Sequence, residues 1–174
     1  MKYHKYHAIV INRRNIKDAD RFLTLYTLES GKVDVYARSV RSLKSKRLAS
    51  LDLFTHISCE AIEKNDRLTL THVDLLHTHQ DSKTSLANIS RLFHIGELVD
   101  KLTPDGDPHP EVYNLLLTAL THLHRFDTPE YLNRFKKKLL TELGFDPDPA
   151  NLDEYIDSLL FRPLRTNNIL LYIS

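Results

Sequence analysis

Apolar positions recur with a period near two up to about residue 78, and after Gln80 with a period near 3.6. The segments Tyr6–Ile11, Phe22–Leu28, Lys32–Ala37, Leu53–Ile62 and Leu68–Leu75 are rich in β-branched and aromatic residues and are predicted as strands. Glu29-Ser-Gly31-Lys32 is a tight connection with Gly31 available for a positive φ, and Glu63-Lys-Asn65-Asp66 is a second hairpin turn. Five short strands in so little chain predict a small barrel, because closure removes the exposed edges an open sheet would carry.

The helical half is punctuated by caps and breakers. Asp81 or Ser82 is expected to cap a helix whose apolar positions are Leu86, Ile89, Leu92, Phe93, Leu98, Val99 and Leu102. The Pro- and Gly-containing stretch from Thr103 to Pro110 breaks it, and Pro110 suits the first turn of a second helix reaching about residue 125. Apolar residues surround that helix almost completely (Val112, Tyr113, Leu115, Leu116, Leu117, Leu120, Leu123), which predicts the buried centre of a bundle. Thr128-Pro129-Glu130 starts a third helix and Gly144 ends it. A short helix is expected near 150–160, and the tail from Leu164 to Ser174 has no clear period. The fold class is therefore α+β in two segregated modules, a five-stranded barrel at residues 1–80 and an all-α module at 81–174.

Composition adds exclusions. No apolar run approaches the ~18–20 residues that span a bilayer, and Met1-Lys-Tyr-His-Lys-Tyr-His7 lacks the apolar core of a signal peptide. One cysteine, Cys59, excludes an intramolecular disulfide and a multi-cysteine zinc site. A cytoplasmic protein is expected, with no cofactor and no bound metal.

Charge changes the picture more. The formal net charge is only +1, yet residues 1–47 carry 12 Lys and Arg against four acids, a balance of +8, which leaves −7 for the rest. Arg38-Ser-Val-Arg41-Ser-Leu-Lys44-Ser-Lys46-Arg47 places five cations in ten positions without an acid. Arg13, Arg14, Lys17 and Arg21 form a second cluster, and Phe22, Tyr26 and Tyr36 are nearby candidate stacking platforms. Such a surface suits a polyanion whose backbone it tracks, and in small Greek-key barrels ligands cross the second and third strands. Asp18 and Asp20 are expected to order the neighbouring guanidinium groups.

The other constellations are weaker. His77 with His79, and His122 with His124, lack the partners of a recognised zinc spacing. There is no phosphate loop, nucleophile elbow, HExxH or CxxC, and Cys59 lies mid-strand among apolar neighbours, so no enzyme is indicated. Arg134, Lys136, Lys137 and Lys138 beside Leu132, Phe135 and Leu139 outline a candidate groove for an acidic peptide, with cations at its mouth and an apolar floor. Two uses of the basic segments stay open on these grounds, nucleic-acid binding and an adaptor that takes an acidic peptide.

Three stretches resemble the RecO family of bacterial recombination mediators. They are Asn12-Arg-Arg-Asn-Ile-Lys-Asp-Ala-Asp-Arg-Phe-Leu-Thr-Leu-Tyr-Thr27, Ser30-Gly-Lys-Val-Asp-Val-Tyr-Ala-Arg-Ser39 and Lys44-Ser-Lys-Arg-Leu48. The family pattern there has an Arg-Arg, an (E/D)-A-D-R segment, T-L-x-T, G-K, an Ala-Arg-Gly start to a basic loop and a Lys-Ser-Arg-like end. A looser likeness continues through Gly96–Leu102 and Leu140–Phe145. The resemblance implies an oligonucleotide/oligosaccharide-binding (OB) barrel followed by a helical domain. It implies binding of single- and double-stranded DNA and annealing of complementary strands. The implied partners are RecR and the acidic C-terminal tail of single-stranded-DNA-binding protein (SSB), with RecA loaded onto SSB-coated strands in gap repair and recombination. The DNA role would fall on Arg13, Arg14, Arg21, Lys32, Arg38, Arg41, Lys44, Lys46 and Arg47.

The sequence departs from the pattern in three places. Lys17 and Ser39 stand where the family usually has Gly, and residues 146–155 hold no cysteine where many members carry a zinc ribbon. A short form without structural zinc is expected, in which Arg162–Leu170 resembles a shortened version of the family's last basic-apolar segment.

Overall fold

The structure is a computed structural model that describes residues 1–16, 19–40, 48–126 and 128–170. Two compact units emerge, one built on residues 1–78 together with 104–110, the other on 79–103 and the chain from 111 onward. Among the described residues no helix is long and apolar enough to cross a membrane.

The first unit is a closed five-stranded barrel: β1 (Lys2–Ile16), β2 (Asp20–Thr27), β3 (Gly31–Ala37), β4 (His56–Lys64) and β5 (Arg67–His77), in the order β1-β2-β3-β5-β4 with β4 returning to β1. All pairings are antiparallel except β3 with β5, where Val35 meets Leu68 and Tyr36 meets Thr69 in parallel. This is the OB-fold arrangement. Inward-facing Ala8, Val10, Leu23, Leu25, Val35, Ile57, Cys59, Ala61 and Leu70 fill the interior, where burial pushes the Cys59 thiol up to about 12. The β4–β5 turn carries positive φ at both Asn65 and Asp66, the type I′ geometry that suits two twisted strands. Gly31 has φ +62, and a Cβ there would lie 2.0 Å from the Asp107 carbonyl oxygen, so only glycine lets segment 104–110 approach this turn.

The strands differ from the sequence expectation mainly in length. β1 extends well past both ends of its apolar segment Tyr6–Ile11, because backbone pairing to β2 and β4 carries its exposed ends. Leu53, Phe54 and Thr55 lie outside β4, with Phe54 at φ +63 and its N–H donating to the Val10 carbonyl at 2.8 Å. A bulge in β1 has greater consequence: Val10 faces Leu25 and Asn12 faces Thr24, so Ile11 is one residue too many. Alternation from Val10 alone would turn Asn12 and Arg14 towards the interior; the bulge puts them outside.

The second unit packs α1 (Leu86–Leu102), α2 (Pro110–His122), α3 (Pro129–Glu142) and α4 (Leu152–Leu159), followed by a helical turn at Asn167–Leu170. Ser85, not Asp81 or Ser82, caps α1, its hydroxyl accepting the Asn88 N–H at 3.0 Å, while 80–83 form a separate 3₁₀ turn. Thr128 caps α3 and Gly144 follows its end at φ +84, both as predicted. Residues 165 and 166, at the start of the ambiguous tail, are tied to α1. The Glu97 carboxylate accepts the backbone N–H groups of Arg165 and Thr166, at 3.0 and 2.9 Å, and the Thr166 hydroxyl at 2.7 Å.

That last bond fixes a proton. Because the Thr166 hydroxyl donates to a carboxylate, its oxygen accepts from His94 Nδ1 at 2.7 Å, which leaves Nε2 as the unprotonated nitrogen, buried without a partner. Burial, assisted by the Lys136 ammonium, therefore lowers His94 to about 4 from its usual 6.5. Between these two values the unfolded chain takes up a proton that the folded one refuses. Stability should be complete above pH 6.5 and decline towards pH 4, by on the order of 2–3 kcal/mol. Urea unfolding monitored by circular dichroism at pH 7 and pH 5 would show it, with the loss reduced in His94→Gln.

Candidate nucleic-acid interface

The outer face of β1, β2, β3 and β5 carries two cross-strand rows. Arg14 opposes Phe22, Phe22 opposes Tyr36, and Tyr36 opposes Thr69; one step along, Asn12 opposes Thr24 and Thr24 opposes Asp34. Residues two apart on a strand share a face, so the rows form one continuous surface. Phe22 and Tyr36 are each half-buried and each lie beneath a guanidinium: Arg14 sits 5.7 Å from the Phe22 ring centre and Arg67 sits 5.4 Å from that of Tyr36. Sequence reasoning missed Arg67. It stands beside a hairpin turn, and only the parallel β3–β5 closure brings it over Tyr36.

Asp20 organises the root of the basic loop. Its carboxylate accepts the Tyr36 hydroxyl and, at 2.8 Å, the Ser39 N–H, and the first of these bonds raises the Tyr36 phenol above its usual value. Ser39 itself has φ +53, a conformation that costs a non-glycine residue energy, so the departure from the family's glycine falls where glycine fits best. Arg38 is exposed at the end of β3. Arg41, Lys44, Lys46 and Arg47 lie outside the described residues, as do Lys17 and Asp18.

Several expected contacts are corrected. Arg21 is only 8% exposed and its guanidinium donates to the Asn15 side-chain oxygen at 3.2 Å and to the Leu51 carbonyl at 3.3 Å, so it braces the barrel end instead of facing a ligand. The Lys32 side chain is 13% exposed and paired with Asp105 at 3.2 Å. Tyr26 is fully buried and offers no stacking face. Arg13 is half-exposed and pairs with Asp52, a carboxylate far from it in sequence and not among its expected partners. In the helical unit Arg134, Lys137 and Lys138 share an exposed face of α3, but Phe135 is 4% exposed in the core and Lys136 turns inward to Asp153 at 2.6 Å. The apolar floor expected from Phe135 is therefore not on that face.

His77 is exposed and His79 buried, and among the described residues no group of three or more His, Cys, Asp or Glu side chains could hold a metal ion.

Comparison with known proteins agrees with this architecture. The family model described as Recombination protein O N terminal matches residues 1–79, and that described as Recombination protein O C terminal matches residues 83–151. The DNA repair protein RecO of Symbiobacterium thermophilum is 33% identical over 148 residues, 82% of this chain and 57% of that protein. Those of Pelobacter propionicus and Geobacter sulfurreducens are 30% and 32% identical, over 82% and 79% of this chain and 59% and 57% of theirs. The chain thus spans under three-fifths of the length of these curated relatives.

The buried arginine provides a check on the surface. Arg21→Ala should cost about 1–3 kcal/mol by stranding its acceptors, lowering Tm by several degrees in a melt followed by circular dichroism. It should leave the ionic-strength dependence of polyanion binding unchanged; a weaker dependence without loss of Tm would return Arg21 to the interface.

Proposed function

Given that the chain belongs to the RecO family, we propose that it is a non-enzymatic DNA-binding mediator of repair and recombination. It binds single- and double-stranded DNA and anneals complementary strands. With RecR and the acidic tail of SSB it helps load RecA on SSB-coated single strands, as a cytoplasmic, nucleoid-associated protein. The observation that carries this reading is the pair of half-buried rings under arginines on the outer barrel face, Phe22 with Arg14 and Tyr36 with Arg67. Bases stack on such rings with little regard to sequence, at about 1–3 kcal/mol each. The displaced guanidinium groups are then positioned to meet phosphates. The cations Arg38, Arg41, Lys44, Lys46 and Arg47, together with Arg13, would extend this contact to further phosphates. Arg134, Lys137 and Lys138 are the exposed charges that an acidic tail would meet, by charge alone and without Phe135.

Cations and rings should separate in one titration series. Charge reversal at Arg38, Arg41, Lys44 and Arg47 should weaken single-strand binding by fluorescence anisotropy and make the log–log salt dependence shallower, by roughly 0.7 for each phosphate no longer neutralised. Phe22→Ala or Tyr36→Ala should weaken binding by about 1–3 kcal/mol with the slope unchanged. Unaltered affinity in both sets would move the site elsewhere. Annealing of complementary strands, bare and SSB-coated, tests the mediator step, and SSB-tail peptide that displaces DNA stoichiometrically would favour a shared adaptor site. DNA left intact after long incubation with magnesium or manganese supports the non-enzymatic reading.

A further inference from the structure

The second row of the same face holds a group that a pure phosphate-binding surface would exclude. Asp34 is exposed in a cleft of about 190 Å³ lined by Asn12, Arg13, Arg14, Phe22 and Thr24. Its Oδ1 accepts the Thr24 hydroxyl at 2.7 Å, and among the described residues that is its one hydrogen-bond partner. The neighbouring arginines are engaged elsewhere, Arg13 on Asp52 and Arg14 over Phe22. A carboxylate so placed repels a phosphate backbone, yet has several lone pairs for N–H donors. The cleft is smaller than the ~300–1,000 Å³ of a typical small-molecule pocket, a size suited to one planar group instead of a whole nucleotide.

We propose that this cleft is a subsite for an unpaired guanine. The base takes the face of Phe22 now covered by Arg14, and the released guanidinium stacks on the base or meets the adjacent phosphate. Asp34 then accepts from the Watson–Crick edge. Guanine presents two adjacent donors there, N1–H and the N2 amino group, which suit the two oxygens of one carboxylate. Adenine and cytosine each present an amino donor beside a ring-nitrogen acceptor, and thymine a single N–H between two carbonyls, so each sets an acceptor against the carboxylate. The Asn12 amide, whose oxygen is held by the Arg13 N–H at 2.8 Å, has its NH₂ group to offer to guanine O6. Because the edge that is read is the edge that pairs, the subsite releases its base when a complementary strand arrives. It therefore favours single strands over duplex.

This inference rests on the DNA-binding reading, and the experiment separates the two. Anisotropy in lithium buffer would compare an all-thymine strand with one carrying isolated guanines flanked by thymines, for the intact chain and for Asp34→Asn. The intact chain should bind the guanine strand roughly five- to a hundredfold more tightly, the range one bidentate side-chain–base pair supplies. Inosine in place of guanine, which removes the N2 amino group, should abolish most of that gain. Asp34→Asn should lose the preference while binding the thymine strand at least as tightly as before. Equal binding of both strands by the intact chain, or a preference retained in Asp34→Asn, would overturn the guanine subsite and leave DNA binding standing. Failure to bind either strand at low salt would overturn DNA binding itself.

Discussion

Two residue pairs, Val35 with Leu68 and Tyr36 with Thr69, join β3 to β5 and turn a five-stranded sheet into a barrel. An open sheet of this size would leave two edges of unpaired N–H and C=O groups and one face of its apolar residues in water. Closure satisfies both demands at once, and it seals Val35, Leu70, Ile57 and Cys59 into one interior. The pairing is short, so its position matters. It sets which residue of β5 lies beside Tyr36, and hence that the Arg67 guanidinium covers the Tyr36 ring.

Cations on this face, and Arg13 beside it at the barrel end, are held, but lightly. Arg13 has Asp52, Arg14 has the Phe22 ring and Arg67 the Tyr36 ring. An exposed ion pair contributes only ~0–1 kcal/mol and an exposed cation–π contact about 0.5–1 kcal/mol. Exchanging such partners for phosphate or base therefore meets a small penalty, while the side chains are already oriented. Arg21 shows the opposite arrangement: it is buried at the barrel end with donors on the Asn15 side chain and the Leu51 carbonyl, where leaving them unmet would cost more than a surface ion pair contributes. Asp20 belongs to neither class. By accepting from both Tyr36 and Ser39 it links the ring platform to the point where the basic loop departs.

The helical unit uses one carboxylate in a comparable way. Glu97 gathers three donors from residues 165 and 166, and the Thr166 hydroxyl passes the constraint on to His94. Residues 165 and 166, in a stretch with no periodicity of its own, are thus held chiefly by bonds to one carboxylate, beside the buried apolar residue Leu164, which is why the pattern there is uninformative.

Much of the molecule follows from local rules legible in the sequence. Period-two alternation locates the five strands, Asn65-Asp66 their last turn, and Thr128, Pro129 and Gly144 the limits of α3, because each depends on residues a few positions apart. The charge partition and the resemblance to RecO likewise follow from order along the chain. What tertiary structure alone decided is which side chains face outward together. One extra residue in β1 moves Asn12 and Arg14 to the outer face, Asp52 reaches Arg13 from thirty-nine positions away, and Arg67 arrives through a parallel pairing. Tyr26 and Phe135, equally aromatic in sequence, fall inside. Strand register has a period of two, so a single bulge inverts every assignment of face beyond it, and no local signal in this sequence announces the bulge.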